Sequence, residues 1–329
     1  MYKLGILGTA RIAPKAVITP AAIMNNIHIY GIASRNPANA QQFATDHKIP
    51  MVYDAYEKLI GDPEVDIIYI PLPNSLHTHY CLKAVQAGKH VLCEKPISMN
   101  AEEARQLQKA SKPYAGIIME GFHYRYHPVF TQVQKWIKEG VIGEVREMES
   151  VFTVPPRPEG DIRFQYQMGG GSLMDLGCYC VHILRQLMEM EPEVNEATTV
   201  SPDGLIDWAM ETQLAFGETI SARVHCSFEK HAVYRSDLRI TGTKGEIEVP
   251  NPFSPQKNEG GTHLMLTRNG HKETHVVTGE TTFFYQLNAL VKAIEDDTYV
   301  LPTGLDDAIK NMEALDRIYL ASGLPVRKK

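Results

Sequence analysis

The sequence contains no apolar run near the roughly 18 residues that a helix needs to cross a bilayer. Nor does it open as an export signal does. Met1-Tyr2-Lys3 passes straight into Leu4-Gly5-Ile6-Leu7-Gly8, without the usual order of charged, apolar and small residues. Basic residues are not in excess: 33 Lys and Arg face 39 Asp and Glu, for a net charge of -6. That balance argues against a general nucleic-acid binder or a polybasic membrane reader and leaves room only for a local basic pocket. Cysteine is scarce. Cys81, Cys93, Cys178, Cys180 and Cys226 form an odd set of five in 329 residues, which reads as reduced core thiols and not as a disulfide framework. Cys178 and Cys180 lack zinc spacing and a second pair, and His77-Thr78-His79 falls in a helical pattern, so no metal is expected. Internal repeats and low-complexity tracts are absent, and Pro155-Pro156-Arg157-Pro158 reads as a loop. These absences point to a soluble cytoplasmic protein with no nucleic-acid or membrane partner.

What is present is a globular composition, 43% hydrophobic and 22% charged, in a chain long enough for about two domains. Short apolar runs at 3–8, 27–34, 66–71, 90–94 and 116–121 alternate with helical patterns at 37–47, 54–61, 75–88 and 100–112. Asn100 before Ala101-Glu102-Glu103 reads as an N-cap, and Gly88 as the close of the preceding helix. Apolar strands separated by helices predict a doubly wound parallel sheet, with ligands at the C-terminal strand ends. Past residue 122 the rhythm changes. A helix near 127–139 leads to runs at 145–154, 211–217, 219–228, 236–241 and 245–249, with helices at 172–188, 284–295 and 305–320. Interleaved polar residues and turn signals predict a largely antiparallel sheet there. The expected organisation is a nucleotide-binding α/β domain over 1–121 and an α+β domain over 122–329, whose late helices can pack back on the first.

Several motifs fall at the expected strand tips. Gly8-Thr9-Ala10-Arg11-Ile12-Ala13 fits G-x-G-x-x-G/A with alanine at the second glycine. Small residues there let the backbone approach a pyrophosphate, and the helix that follows supplies donors; a purely structural turn is the rival reading. The second strand ends in Ser34-Arg35-Asn36, where an NAD site usually carries an acid. A hydroxyl and a guanidinium suit the extra phosphate of NADP(H), with NAD(H) the alternative cofactor and a solvated arginine the bland one. The next two tips carry Pro71-Leu72-Pro73-Asn74-Ser75-Leu76-His77 and Cys93-Glu94-Lys95-Pro96. Pro96 restricts Lys95 to extended geometry and allows a cis bond, though Lys95 could also be an ordinary loop lysine. In Gly169-Gly170-Gly171-Ser172-Leu173-Met174-Asp175-Leu176-Gly177-Cys178-Tyr179, a helix would set Asp175 and Tyr179 four apart on one face. Two readings stay open: a Ser172–Asp175 capping box over a core tyrosine, or a phenol whose pKa a nearby cation lowers for proton exchange.

Together, the first turn, Glu94-Lys95-Pro96 after Ala87-Gly88-Lys89-His90-Val91-Leu92, and the Asp175-x-Gly177-x-Tyr179 element resemble the Gfo/Idh/MocA oxidoreductases over most of the chain. Tyrosine at 179, where inositol dehydrogenases usually carry histidine, is similar to the dihydrodiol and xylose dehydrogenase branch. The resemblance implies an N-terminal Rossmann domain and a C-terminal sheet that mediates oligomerisation, as a homodimer or homotetramer. It implies that Lys95 orients substrate and relays a proton, Asp175 positions substrate and Tyr179 is the acid/base. It places Asn74 and His77, with Leu72 and Glu94 in the same loops, on the cofactor side. Arg163 and Phe164 match a pocket segment, and Arg125 lines the same pocket or forms an interdomain salt bridge. The implied activity is NADP(H)-dependent hydride transfer at a secondary alcohol or carbonyl of a sugar, polyol or trans-diol. The rivals are a catalytically silent NADP or sugar sensor and a sugar–sugar oxidoreductase whose cofactor does not exchange.

Overall fold

The computed structural model describes residues 1–158, 160–258 and 260–328. Its contacts divide the chain into two compact units, Met1–Phe122 with Phe283–Ile309, and His123–Thr282 with Lys310–Lys329.

The first unit is built on β1 (Tyr2–Leu7), β2 (Ile27–Ala33), β3 (Met51–Tyr53), β4 (Ile67–Ile70), β5 (His90–Cys93) and β6 (Ile118–Glu120). All pair in parallel in the order β3-β2-β1-β4-β5-β6. Strand order reverses beside β1, so the connections leaving β1 and β4 run to opposite faces of the sheet, the switch point at which such sheets bind dinucleotides. Between the strands run α1 (Thr19–Ala22, after a π-helical turn at Pro14–Ile18), α2 (Pro37–His47), α3 (Tyr56–Gly61), α4 (Asn74–Gln86) and α5 (Ala101–Ser111). Leu4, Ile6, Leu7, Ile67, Ile68, Ile70, Val91 and Leu92 are buried, as a sheet covered on both faces requires. Asn100 does cap α5, accepting from the Glu103 N–H at 2.9 Å. Asn36 caps α2 in the same way, through the N–H groups of Ala38 and Asn39.

The second unit holds α6 (Pro128–Lys138), β7 (Val145–Thr153), α7 (Cys178–Met188), β8 (Glu193–Val200), β9 (Ala209–Phe216), β10 (Ile220–Ser227), β11 (Arg235–Gly242), β12 (Gly245–Pro250), β13 (Thr262–Arg268) and β14 (His271–Val277). Its eight strands run β14-β13-β12-β11-β7-β10-β9-β8, antiparallel throughout except for the β7–β10 pair. One face carries Met148, Ala222, Val224, Leu214, Leu238, Ile240, Ile247 and Leu264, all buried. The other carries charges of alternating sign. Register places Arg223, Glu149, Arg239 and Glu248 in one row across β10, β7, β11 and β12, and Lys272 reaches Glu248 at 2.7 Å. Two further helices, α8 (Thr282–Glu295) and α9 (Leu305–Ala321), follow the sheet in sequence.

The sequence reading missed β3, β8, β13 and β14. It also expected a regular helix over 172–188, whereas Leu173–Gly177 is a π-helical turn that leads into α7. All five cysteines are buried free thiols. Among the described residues, no helix is long and apolar enough to cross a membrane.

Candidate active site

In the first unit the candidate residues gather at the C-terminal ends of the parallel strands. Gly8, just past β1, has φ +90°, and a Cβ there would sit 3.1 Å from Leu72 Cδ2 and 3.7 Å from the Tyr56 hydroxyl. Only glycine keeps that space clear for a ligand to approach the backbone. Thr9, Ala10, Arg11 and Ile12 follow, with Arg11 exposed and the other three half-buried. The helical turns start when the Ala13 N–H reaches the Ala10 carbonyl at 3.0 Å. At the tip of β2, Ser34 is buried and its Oγ accepts from the Asn36 N–H, while Arg35 is exposed. Arg35 also lies at the Tyr56 hydroxyl: burial raises the phenol's pKa, and the guanidinium pulls it the other way.

The loops after β4 and β5 are locked to each other. His77 is fully buried, with Nε2 2.7 Å from the Leu72 carbonyl oxygen and Nδ1 2.8 Å from that of Pro96. Burial pushes its pKa below the ordinary value, against the pull of the two carbonyls. Each ring nitrogen faces a backbone carbonyl, and the neutral ring, with its one N–H, donates to either Leu72 or Pro96. Glu94 accepts from the Tyr69 hydroxyl at 2.7 Å, and the Lys95–Pro96 bond is cis. Lys95 and Asn74 are half-buried. The reading missed Glu120 at the end of β6, a buried carboxylate whose Oε1 accepts from the Ile97 N–H at 2.7 Å and fixes the chain just past Pro96.

In the second unit the glycine triplet makes a crowded bend. Gly171 has φ +126°, and a Cβ there would lie 2.2 Å from Asp207 Oδ1. Ser172 forms no capping box. Its backbone is helical and its hydroxyl donates to Asp207 Oδ2 at 2.9 Å, which corrects that reading. Arg163 and Asp175 are brought together: Nε donates to Oδ2 at 2.5 Å, and Nη1 reaches Asp161 at 3.1 Å. Burial works to lower the Arg163 pKa, and the two carboxylates more than offset it, so the guanidinium stays charged. Phe164 packs on Trp208 and Phe228, each at 5.1 Å between ring centroids. Arg125 donates to Gln186 Oε1 at 2.7 Å and lies over the Phe130 ring at 4.3 Å.

Tyr179, in the first turn of α7, is buried among Tyr124, Phe152 and Phe253, with centroids 5.2–6.1 Å away. Its hydroxyl is 3.2 Å from His123 Nε2. The aromatic box holds the ring, and the hydroxyl can donate or accept a proton. His123, Asp207 and the Arg327 that pairs with it were missed by the sequence reading. His123 stands two residues before Arg125 in Phe122-His123-Tyr124-Arg125, the one local signal that could have found it. Among the described residues, no group of three or more His, Cys, Asp or Glu could hold a metal ion.

A parallel sheet with a glycine-led first turn at its switch point, joined in one chain to a sheet domain carrying Asp175 and Tyr179, defines the class: an oxidoreductase built on a dinucleotide-binding fold. The chain belongs to the Gfo/Idh/MocA family. It matches that family's NAD-binding Rossmann domain over residues 2–122 and its C-terminal domain over residues 130–248. It is 32% identical over 317 residues to a D-xylose 1-dehydrogenase (NADP(+)) of Haloferax volcanii, covering 96% of this chain and 95% of the relative. A trans-1,2-dihydrobenzene-1,2-diol dehydrogenase of Xenopus laevis is 30% identical over 262 residues, 76% of this chain and 75% of that protein. Among solved structures, a 3-ketoreductase from Actinomadura kijaniata in complex with NADP and TDP-benzene superposes with a TM-score of 0.89. It is 26% identical, with 97% of each chain covered. The chain is thus an NAD(P)-dependent oxidoreductase acting on CH–OH groups, as its family is.

Proposed function

We propose that this enzyme uses NADP(H) to interconvert a secondary alcohol and a carbonyl on a sugar, polyol or trans-diol, with Tyr179 as the acid/base. One observation carries the reading: the Tyr179 phenol is fixed in an aromatic box with its oxygen against an imidazole, the setting of a group that exchanges a proton. When bound, the nicotinamide supplies or accepts the hydride at the substrate carbon. The residues after β1 and β2, Gly8 to Ile12 with Ser34 and Arg35, would hold the dinucleotide. Leu72, Asn74, Glu94 and Lys95 would shape its reactive end. Arg35 would read the 2′-phosphate of NADP, and the NADP named for the xylose dehydrogenase and the ketoreductase supports that choice.

Tyr179 would give its proton to the carbonyl oxygen in reduction and take it back in oxidation. Lys95 would supply a cation to the same oxygen. Asp175, carrying Arg163, would orient the sugar hydroxyls, with Phe164 as an apolar wall of the pocket. A cytoplasmic location and a homodimer or homotetramer formed through the eight-stranded sheet belong to the same reading. A panel of aldoses, inositols, trans-diols and α-dicarbonyls, followed by NADPH absorbance in both directions, tests the function. The expected result is turnover of an aldose or trans-diol with exchanging NADP(H). No turnover across the panel, with tight sugar or NADPH binding, would favour a sensor. Cofactor that stays bound through gel filtration would favour a sugar–sugar oxidoreductase.

A further inference from the structure

We infer that His123, held by Thr282, is a positioning residue for Tyr179, set to donate from Nε2 to the phenol oxygen and turn the hydroxyl proton towards the substrate. The inference rests on the reading of Tyr179 as the acid/base. His123 opens the short turn His123–Tyr126 and is buried; Thr282, the first residue of α8, is buried as well. The Nδ1 of His123 lies 2.8 Å from Thr282 Oγ1, and its Nε2 lies 3.2 Å from the Tyr179 oxygen. One nitrogen of a neutral imidazole donates and the other accepts, so the partner of one fixes the role of the other. A threonine hydroxyl can rotate to donate to Nδ1. Nε2 then carries the hydrogen, and the phenol receives a hydrogen bond instead of spending its proton on histidine. The opposite tautomer would tie the phenol proton to Nε2, and each transfer would first have to break that bond.

The chemistry balances without a further reactant. In reduction the carbonyl carbon gains a hydride and its oxygen takes the Tyr179 proton. The O–H bond of the phenol breaks, and the electron pair left on that oxygen faces the Nε2–H of His123. Solvent restores the proton after product leaves. A donor aimed at charge that develops during the reaction lowers the barrier more than it aids ground-state binding. Tyr124 and His182 form a second pair beside it, hydroxyl to Nδ1 at 2.5 Å, which occupies that tyrosine and leaves His123 facing Tyr179.

The test compares His123→Phe, His123→Gln, Thr282→Val and Thr282→Ser in the wild-type and Tyr179→Phe backgrounds. D-xylose with NADP+ is the first probe, and the panel compound turned over fastest serves where xylose is slow. His123→Phe should lower kcat by about 10- to 100-fold, the effect of losing a hydrogen bond to a charged group, while KM and NADPH affinity stay within about twofold. His123→Gln, which can offer an N–H from the same direction, should restore most of that loss. Thr282→Val should follow His123→Phe, and Thr282→Ser should resemble wild type. In the Tyr179→Phe background none of the four should cost anything further. Equal losses in both backgrounds, or a glutamine no better than phenylalanine, would reduce His123 to a packing residue. Near-normal turnover by Tyr179→Phe alone would instead sink the acid/base reading, and this inference with it.

Discussion

The guanidinium of Arg327 and the carboxylate of Asp207 meet at 2.6 Å with neither side chain exposed to solvent. They stand 120 residues apart, and between them they hold the bend that leads to Asp175. Arg327 Nε donates to the Gly170 carbonyl at 2.8 Å, and its guanidinium lies over the rings of Tyr166 and Tyr319. Asp207 also accepts from Ser172 Oγ, the Leu173 N–H and the Tyr319 hydroxyl. The C-terminal segment therefore fixes the glycine triplet from beneath.

Arg327→Met should leave the Asp207 carboxyl in the core without its counter-charge. Loss of one partner of a buried pair costs about 3–5 kcal/mol, whereas Arg223→Ala, at an exposed pair with Glu149, should cost about 1 kcal/mol or less. Urea unfolding of both variants checks the contrast, and equal midpoints would show that the buried pair is not holding the bend.

His127 makes stability depend on acid. Its Nδ1 accepts from the Val129 N–H at 3.1 Å and so caps α6, a role open only to the neutral ring. Burial pushes its pKa down to about 4, against the Glu280 backbone. In the unfolded chain the imidazole titrates near 6.5. Its contribution is therefore complete above about pH 6.5 and is lost as pH falls from there towards about 4, because unfolding takes up a proton in that window. His127→Asn keeps a capping oxygen that does not titrate. Its stability should fall less steeply between those pH values than that of wild type, leaving the part due to His77, His90 and His225, whose pKa values burial also lowers. Parallel curves for the two proteins would exclude His127 as the source.

Local signals carried the first unit. Apolar strands, Asn100 as a cap, Gly8 at a turn and Pro96 after Lys95 each act within a few residues, and the Rossmann order follows from them. Long-range pairing was not legible: nothing in Arg327 or Asp207 announces a partner so far away in the chain. Strands β8 and β14 escaped because they are edges. Polar sequences such as Glu193-Val194-Asn195-Glu196 and His271-Lys272-Glu273-Thr274 suit an edge and blur the apolar alternation by which strands are read. The π-helical turn before Tyr179 was hidden for a related reason. It answers the crowding of Gly171 and Ser172 against Asp207, a contact made only in the folded chain.

Arg35 should decide which dinucleotide binds. Arg35→Asp should weaken NADPH binding by about 10- to 100-fold, the worth of a hydrogen bond between charged groups, and leave NADH binding nearly unchanged. Fluorescence titration of both cofactors measures this. An equal loss for the two would show that the guanidinium does not read the phosphate.

The charged sheet face bears on assembly. The row Arg223, Glu149, Arg239 and Glu248 is satisfied by neighbours on its own sheet, so an association through this face would be polar and sensitive to salt. Sedimentation at micromolar concentration should give a dimer or tetramer that loosens as salt rises from about 0.1 M to about 1 M, where screening lengths shrink severalfold. A monomer at low salt would remove the claim.

Lys95 and Tyr179 should behave as one catalytic unit. Tyr179→Phe keeps the ring and its packing and removes only the hydroxyl, so turnover should fall by about 10²–10⁴-fold, the range for general acid–base catalysis, with NADPH affinity almost unchanged. Lys95→Met keeps the apolar stem and removes the ammonium. It should lower turnover to a similar extent and raise KM as well, as the proposed role of the ammonium at the substrate oxygen requires. Residues that act on one proton transfer are not additive: once the phenol is gone, the ammonium has less to stabilise. The double variant should therefore lose less than the product of the two single losses. Fully multiplicative losses would separate their roles, leaving Lys95 to bind substrate and Tyr179 to exchange the proton alone.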